Sequence, residues 1–116
     1  MPKSNRAALP EALFPLQAFL NAWPDNEFLP MLRKMAVGIE STFNDVGWSW
    51  WGGEDEPPPT QGDLVFFVMD EEVKLSPTAF LPHLRDAADR WSRGKSELLT
   101  EVTQVVDEIE RFFANR

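Results

Sequence analysis

The chain has 116 residues, 43% of them hydrophobic, and this size suits a single domain with one core, residues 1–116. It contains no cysteine, which excludes disulfides, thiolate catalysis and thiolate metal sites. Nineteen acidic and eleven basic residues give a net charge of -8, which disfavours contact with nucleic acid or anionic lipid and favours basic partners. A charge of this size also serves solubility alone.

The first residues and the overall hydropathy bear on where the protein resides. Residues 1–9 are polar or small and show no periodicity, and we expect them to be flexible. Neither a long apolar run nor a basic-then-apolar leader occurs in the sequence, so we expect no membrane span and no secretory signal. The predicted compartment is therefore the cytoplasm.

Two helices are predicted after this lead-in. The first begins at Pro10, and Pro15 is expected to cost it a backbone hydrogen bond or a kink. The second begins with Asp25 as its cap and ends at Gly38. Their apolar positions are Leu13, Leu16, Phe19, Leu20 and Trp23 in the first helix and Phe28, Leu29, Leu32 and Met35 in the second.

The middle of the chain changes to the pattern of β-strands. Residues 37–43 and 46–51 are rich in β-favouring side chains and are separated by an Asn-Asp pair typical of a turn. Residues 63–69 form a nearly continuous apolar run, which predicts a central strand. An acidic turn at residues 70–71 then leads into residues 72–75, whose polar and apolar side chains alternate as in a half-buried strand.

Two further helices are predicted at the C-terminal end. Ser76 and Pro77 have the chemistry of a helix start, and this helix is expected to kink at Pro82 and to end at Gly94. Ser96 is predicted to cap the last helix, whose apolar side consists of Leu98, Leu99, Val102, Val105, Val106, Ile109, Phe112 and Phe113. The predicted core of the helix pair comprises Phe80, Leu84, Trp91, Val102, Val106 and Phe113. Together the elements predict an α+β domain with two N-terminal helices, a small antiparallel sheet of three to four strands and two C-terminal helices.

The sequence offers little for catalysis. His83 is the single histidine, so neither a histidine-based catalytic triad nor a histidine zinc site can be assembled. A phosphate-binding glycine loop, a G-x-S-x-G elbow and an EF-hand loop are also missing from the sequence. Clustered acids in turns are expected to be solvated, without the raised pKa that a general acid needs. We therefore predict no enzyme activity, no catalytic residue, no cofactor and no metal site.

One segment combines aromatic, acidic and proline residues: residues 48–59 read WSWWGGEDEPPP. Strand alternation places Trp48 and Trp50 on one face, where we expect core packing, and Trp51 on the other, where it is a candidate anchor for a partner. The acids that follow form either a simple connector or a presented loop whose charge suits a basic protein. The predicted partner-binding residues are Trp51, Glu54, Asp55, Glu56, Asp70, Glu71 and Glu72.

Residues 63–91, DLVFFVMDEEVKLSPTAFLPHLRDAADRW, carry a resemblance to a known family. The order of apolar strand, acidic turn, short strand, serine helix cap and alanine-rich helix resembles the immunity proteins paired with ribonuclease toxins of bacterial contact-dependent growth inhibition. Pro82 inside the helix and the Trp-rich segment depart from that pattern. The resemblance implies a small cytoplasmic protein without enzyme activity, which binds a basic nuclease toxin domain and blocks its active site or substrate groove.

Two other functions remain open from the sequence. The Trp- and Pro-rich segment also suits a small adaptor or chaperone-like module that binds peptides. A third hypothesis is a small enzyme that uses the clustered carboxylates. In each case we expect no direct contact with nucleic acid or membrane. A monomer or a weak homodimer is expected.

Overall fold

The computed structural model describes residues 7–50 and 63–114. In chain order the elements are a short 3-10 helix Glu11–Leu13, α1 Phe14–Ala22, α2 Asp25–Met35, β1 Thr42–Phe43, β2 Val46–Trp50, β3 Leu64–Val68, β4 Glu71–Leu75, α3 Pro77–Ser92 and α4 Ser96–Ala114. The predicted α+β class is confirmed, with two N-terminal helices, an antiparallel sheet and two C-terminal helices. No helix in the described ranges is long and apolar enough to cross a membrane.

The start of the described chain is held against α1 by hydrogen bonds. The Asn21 side chain accepts a hydrogen bond from the Ala7 N–H and donates one to the Ala7 carbonyl, both at 3.0 Å. The Leu9 N–H donates to the side-chain carbonyl of Gln17 at 2.6 Å. Residues 1–6 of the lead-in lie outside the described residues, so their predicted flexibility stays a prediction.

The two N-terminal helices begin differently from the prediction. The helix predicted from Pro10 is divided, because a 3-10 helix ends at Leu13 and α1 begins at Phe14. Pro15 is the second residue of α1, so it lies at this break and removes no hydrogen bond from α1 itself. The predicted cap at Asp25 is also wrong, because Pro24 occupies the cap position and Asp25 is the first helical residue of α2. Asp25 still lies in the first turn, where a carboxylate interacts favourably with the helix dipole.

The strand predicted at residues 37–43 is much shorter in the structure. The N–H groups of Val37 and Ile39 both donate to the Lys34 carbonyl, and Gly38, at a φ of 79°, lies between them. Residues 37–39 are therefore used to satisfy the C-terminal carbonyls of α2, as in a glycine-based helix cap. Strand pairing begins only at Thr42, and the predicted strand is wrong in its first five residues.

The strands follow one another in the order β1-β2-β3-β4, all antiparallel. The apolar strand β3 has a neighbour on each side, which confirms its predicted central position. The turn after β3 lies one residue earlier than predicted, at Met69 and Asp70, because Glu71 already pairs with Val68 in the sheet. The first hairpin has the same form, with Asn44 and Asp45 between the paired residues 43 and 46.

One face of the sheet packs on helices α1, α3 and α4. Phe66 at its centre contacts Phe19 of α1 and Phe80 of α3, with ring centroids 5.2 and 4.8 Å apart. Trp50 lies edge-on to Phe113 of α4 at 5.5 Å. Trp48 is buried on this inner face and Trp50 is half-buried there, in keeping with the predicted core packing. Alternation places a second set on the outer face, namely Thr42, Gly47, Ser49, Val65, Phe67, Glu72 and Lys74.

The two C-terminal helices lie at the predicted places, with differences at Ser96 and Leu99. α4 begins at Ser96, so Ser96 is its first helical residue and not the predicted cap before it. The Ser76 hydroxyl accepts a hydrogen bond from the Ala79 N–H at 3.2 Å, which confirms the predicted cap of α3. The helix continues through Pro82 to Ser92, and Gly94 follows at a φ of 79°. Leu99, predicted on the apolar side of α4, is instead 48% exposed because it lies at the edge of that side, beyond the residues that face the core.

Candidate functional site

The two hairpin turns lie side by side at one end of the sheet. Val46 pairs with Val68, and the Met69 N–H donates to the Asp45 carbonyl at 2.9 Å, which joins the first turn to the second. The sheet thereby places acids from both turns and one exposed apolar side chain at the same end. We call this surface the acidic turn end; it consists of Asp45, Met69, Asp70, Glu71 and Glu72, all of them exposed.

The carboxylates of the acidic turn end carry unbalanced charge. None of the ion pairs between residues of the described ranges involves Asp45, Asp70, Glu71 or Glu72. The basic residue of the same strand is Lys74, which lies two positions beyond Glu72 on the outer face. Four exposed carboxylates at the same end of the sheet give a local negative field that acts on an approaching cation over roughly a Debye length, about 8 to 10 Å.

Met69 occupies an unusual position in this surface. Its φ is 55°, in the left-handed region that residues other than glycine and asparagine rarely adopt. Its side chain is 75% exposed, the most exposed of the large hydrophobic residues in the described ranges. A strained backbone and an exposed flexible side chain among acids are features of binding sites, because a thioether side chain adapts its shape to a partner surface.

The three predicted acids of the second turn point in different directions. Glu71 pairs with Val68 and lies on the inner side of the sheet, while Glu72 pairs with Phe67 on the outer side. Asp70 lies in the turn itself. The residues predicted as one cluster therefore surround the end of the sheet, and a partner that contacts all of them must cover that end.

The other predicted binding residues, Trp51, Glu54, Asp55 and Glu56, lie outside the described residues. The strand residues that flank them, Trp50 and Leu64, pair with each other at the end of the sheet opposite the turns. With a rise of about 3.3 Å per residue, the four steps from Val46 to Trp50 separate the two ends by roughly 13 Å. The structure thus does not bring the attachment point of residues 51–62 next to the acidic turn end.

A groove of about 530 Å³ between α3 and α4 is the second candidate surface. Its apolar floor includes Ala88, Val102 and Val106, and Leu99 stands at its margin. The acids along it are neutralised, since Asp86 and Asp89 pair with Arg90 and Arg93 one helical turn further on, each at 3.1 Å. This groove therefore has an apolar floor, but the acidic and basic side chains along it offset each other.

An arginine bridges the two helices beside this groove. Arg85 contacts Glu110 at 2.7 Å and Asp107 at 3.0 Å. The hydrogen bonds to Glu110 and then to Asp107 raise the pKa of the Arg85 guanidinium above its usual value. The three residues thus link α3 to α4, and together they keep a net charge of -1, because one guanidinium faces two carboxylates.

The described residues offer no assembled metal centre. No group of three His, Cys, Asp or Glu side chains in residues 7–50 and 63–114 is arranged to hold a metal ion. His83 is half-buried on α3 and is neither a hydrogen-bond nor an ion-pair partner in these ranges. What the acidic turn end can do chemically is to bind a positively charged surface through several carboxylates and one apolar contact.

Comparison of the chain with protein-family models, with curated proteins and with solved structures found no match. The role of the acidic turn end is therefore argued from its geometry alone. Asp45 and Met69 were not predicted from the sequence. Consecutive strands usually lie next to each other in a sheet, and that rule could have placed the Asn-Asp turn beside the acidic one.

Proposed function

We propose that this protein is an immunity protein of the type found in bacterial contact-dependent growth inhibition. It acts in the cytoplasm, binds a basic toxin domain with nuclease activity, and blocks the active site or substrate groove of that domain. It carries out no catalysis and uses no cofactor. It contacts neither nucleic acid nor membrane directly.

The observation that carries this proposal is the set of carboxylates at the acidic turn end, which form no ion pair with another residue of the described ranges and lie at the same end of the sheet as Met69. A nuclease must attract a polyanion, so its active-site surface is basic, and an inhibitor with a concentrated negative surface uses the same attraction. An exposed apolar side chain at the centre of the charges supplies the kind of contact that dominates binding energy once water is excluded. Along the groove between α3 and α4, by contrast, Asp86 and Asp89 are each paired with an arginine.

The test begins with capture of the partner by the purified chain from the bacterium that encodes it. The captured protein is identified and produced alone, and its nuclease activity is measured with increasing amounts of the chain. We expect complete inhibition at a ratio of one to one and an affinity in the nanomolar range, about -12 kcal/mol, as in other preorganised inhibitor complexes.

Other results would contradict the proposal. Recovery of general chaperones or unfolded peptides alone would favour the adaptor reading instead. A captured basic nuclease whose activity is unchanged by a tenfold excess of the chain would also exclude inhibition. Turnover of a substrate by the chain alone would favour the enzyme reading.

A further inference from the structure

Met69 has a chemical reactivity that its role as an apolar contact does not use. The chain contains four methionines and no cysteine, so oxidation at sulfur is confined to thioethers. Met31 and Met35 lie on the buried side of α2 and are 2% and 0% exposed, whereas Met69 is 75% exposed. Of the methionines in residues 7–50 and 63–114, Met69 is therefore the one that an oxidant in solution reaches directly.

The fold around Met69 tolerates a polar group at this position. Met69 lies in the two-residue turn between the paired residues Val68 and Glu71, and its side chain extends into solvent. Oxidation of a thioether to a sulfoxide adds one polar oxygen to an apolar side chain. Water hydrates that oxygen at Met69, whereas in the core, at Met31 or Met35, it would be a buried polar atom without a hydrogen bond.

The charges at the acidic turn end select the class of oxidant. Asp70 is the residue after Met69, and the Asp45 carbonyl accepts a hydrogen bond from the Met69 N–H at 2.9 Å. Neither carboxylate forms an ion pair with another residue of the described ranges. A local negative field repels an anionic oxidant and leaves the approach of a neutral one unchanged. A small neutral peroxide therefore suits this surface best.

We infer that Met69 is a site of reversible oxidation by hydrogen peroxide. The Met69 sulfur attacks one peroxide oxygen, and the S–O bond forms as the O–O bond breaks. The hydroxide that leaves takes the proton from the transferred oxygen and becomes water. The sulfur is oxidised by two electrons and the peroxide is reduced. Methionine sulfoxide reductases return such a sulfoxide to the thioether, with a dithiol that becomes a disulfide and with release of water.

The consequence for binding rests on the proposed inhibitor function. If Met69 is the apolar anchor of the complex, its sulfoxide brings a hydrated oxygen to a contact from which water must be excluded, and the complex should dissociate faster. Peroxide leaves the carboxylates unchanged, so the association rate should stay close to that of the untreated chain. Oxidation would thus release the partner without changing how it is attracted.

The oxidation is tested on the chain alone. The folded chain is treated with dilute hydrogen peroxide, and peptide mass spectrometry with fragmentation follows the sulfoxide at each methionine over time. Met69 should react at least about tenfold faster than Met31 and Met35, because the two buried residues react only when α2 opens. The chain with a sulfoxide at Met69 should keep its circular dichroism spectrum. Equal rates at the three residues, or loss of the fold with oxidation of Met69, would overturn the inference.

Periodate, an anionic oxidant, tests the role of the charges. At low salt its reaction with Met69 should be several-fold faster in the double variant Asp45→Asn, Asp70→Asn than in the wild type, and added salt should accelerate the wild-type reaction. The rate with hydrogen peroxide should respond to neither change. The control Asp86→Asn, Asp89→Asn should react as the wild type does. A periodate rate that is independent of salt and of the double variant would contradict the selection of a neutral oxidant.

Met69→Leu tests the consequence for binding, since leucine is apolar and has no sulfur. The chain is treated with peroxide, the peroxide is removed, and dissociation from the captured toxin domain is measured. Treatment should accelerate dissociation of the wild-type chain and leave the rate of Met69→Leu as it was before treatment. No acceleration in the wild type would exclude control of binding by oxidation. Failure to capture a basic nuclease would instead contradict the proposed function, whereas the oxidation rates of the chain alone do not depend on it.

Discussion

At the scale of single residues, Met69 is the position where stability and binding are expected to separate. A left-handed φ costs a residue with a side chain about 1 to 2 kcal/mol, and glycine avoids this cost. We expect Met69→Gly to leave the free energy of unfolding unchanged or to raise it by up to about 1 kcal/mol. If Met69 is the apolar anchor of the complex, the same change should raise the dissociation rate of the partner.

Asn44→Gly is the matched control for this prediction. Asn44 occupies the same position of the first hairpin turn, at a φ of 57°, and asparagine tolerates that conformation. We expect it to change neither stability nor dissociation appreciably, as measured by denaturant titration and surface plasmon resonance. Equal dissociation rates for wild type and Met69→Gly would remove Met69 from the binding surface.

Gly47 is required for close packing on the outer face of the sheet. A Cβ atom there would lie 2.7 Å from the Ser41 carbonyl oxygen, 2.8 Å from Thr42 Oγ1 and 2.9 Å from Phe67 Cζ. Gly47→Ala should therefore destabilise the fold by about 1 to 3 kcal/mol through overpacking. A thermal or denaturant melt measures this cost.

Gly94 offers the comparison, since a Cβ at that position meets nothing within 4 Å. Its φ of 79° leaves only the backbone cost, about 1 kcal/mol for alanine. Gly47→Ala should thus be the more harmful change. If Gly47→Ala and Gly94→Ala unfold at the same temperature, the short contacts expected at Gly47 do not affect stability.

At the scale of elements, the centre of the core lies where the β3–β4 hairpin packs on α3. Phe80 is fully buried against Phe66 of β3, and its ring centroid lies 6.4 Å from that of Phe113 in α4. Phe80→Ala should cost about 3 to 5 kcal/mol, because the cavity cannot be filled by its neighbours. Leu99→Ala, at a position 48% exposed, should change stability by less than about 0.5 kcal/mol. A loss below about 1 kcal/mol for Phe80→Ala in denaturant titration would remove Phe80 from the core.

The elements predicted best from the sequence are those whose start, period and end are set locally. Ser76 and Pro77 begin α3 through their own side-chain chemistry, and the apolar run of β3 needs both faces covered wherever it lies. The strand predicted at residues 37–39 is wrong for the opposite reason. Their β-favouring side chains are overruled by the carbonyls of α2, which take their N–H groups.

The candidate site was predictable only in part. The acids of the second turn stand out in the sequence, but the shift of the turn by one residue decides that Met69 adopts the left-handed conformation and Glu71 joins the strand. The addition of Asp45 depends on strand order. Whether residues 54–56 join the same binding surface stays a prediction, since they lie outside the described residues.

At the scale of the whole molecule, the acids that give the net charge of -8 differ in whether a basic residue neutralises them. The acids of α3 are paired with arginines, whereas those of the acidic turn end form no ion pair within residues 7–50 and 63–114. Steering of a basic partner should therefore depend on where carboxylates are removed and not only on how many. Two triple variants with the same change in net charge separate these two possibilities.

The central claim, that the acidic turn end receives a basic partner, is tested most directly by the association rate of such variants. Asp45→Asn, Asp70→Asn, Glu71→Gln and the control Asp86→Asn, Asp89→Asn, Glu97→Gln each raise the net charge by three, from -8 to -5. Glu72 is left unchanged so that both variants differ from the wild type by three charges. Neither variant should lose more than about 1 kcal/mol of stability, since all six side chains are exposed.

The measurement is the association rate constant with the captured toxin domain at low and at moderate salt, for wild type and both variants. We expect the turn-end variant to associate several-fold more slowly at low salt and to show a flatter salt dependence, while the control stays close to wild type. Equal association rates for the two variants at both salt concentrations would contradict the claim and show that the negative charge acts only as a whole.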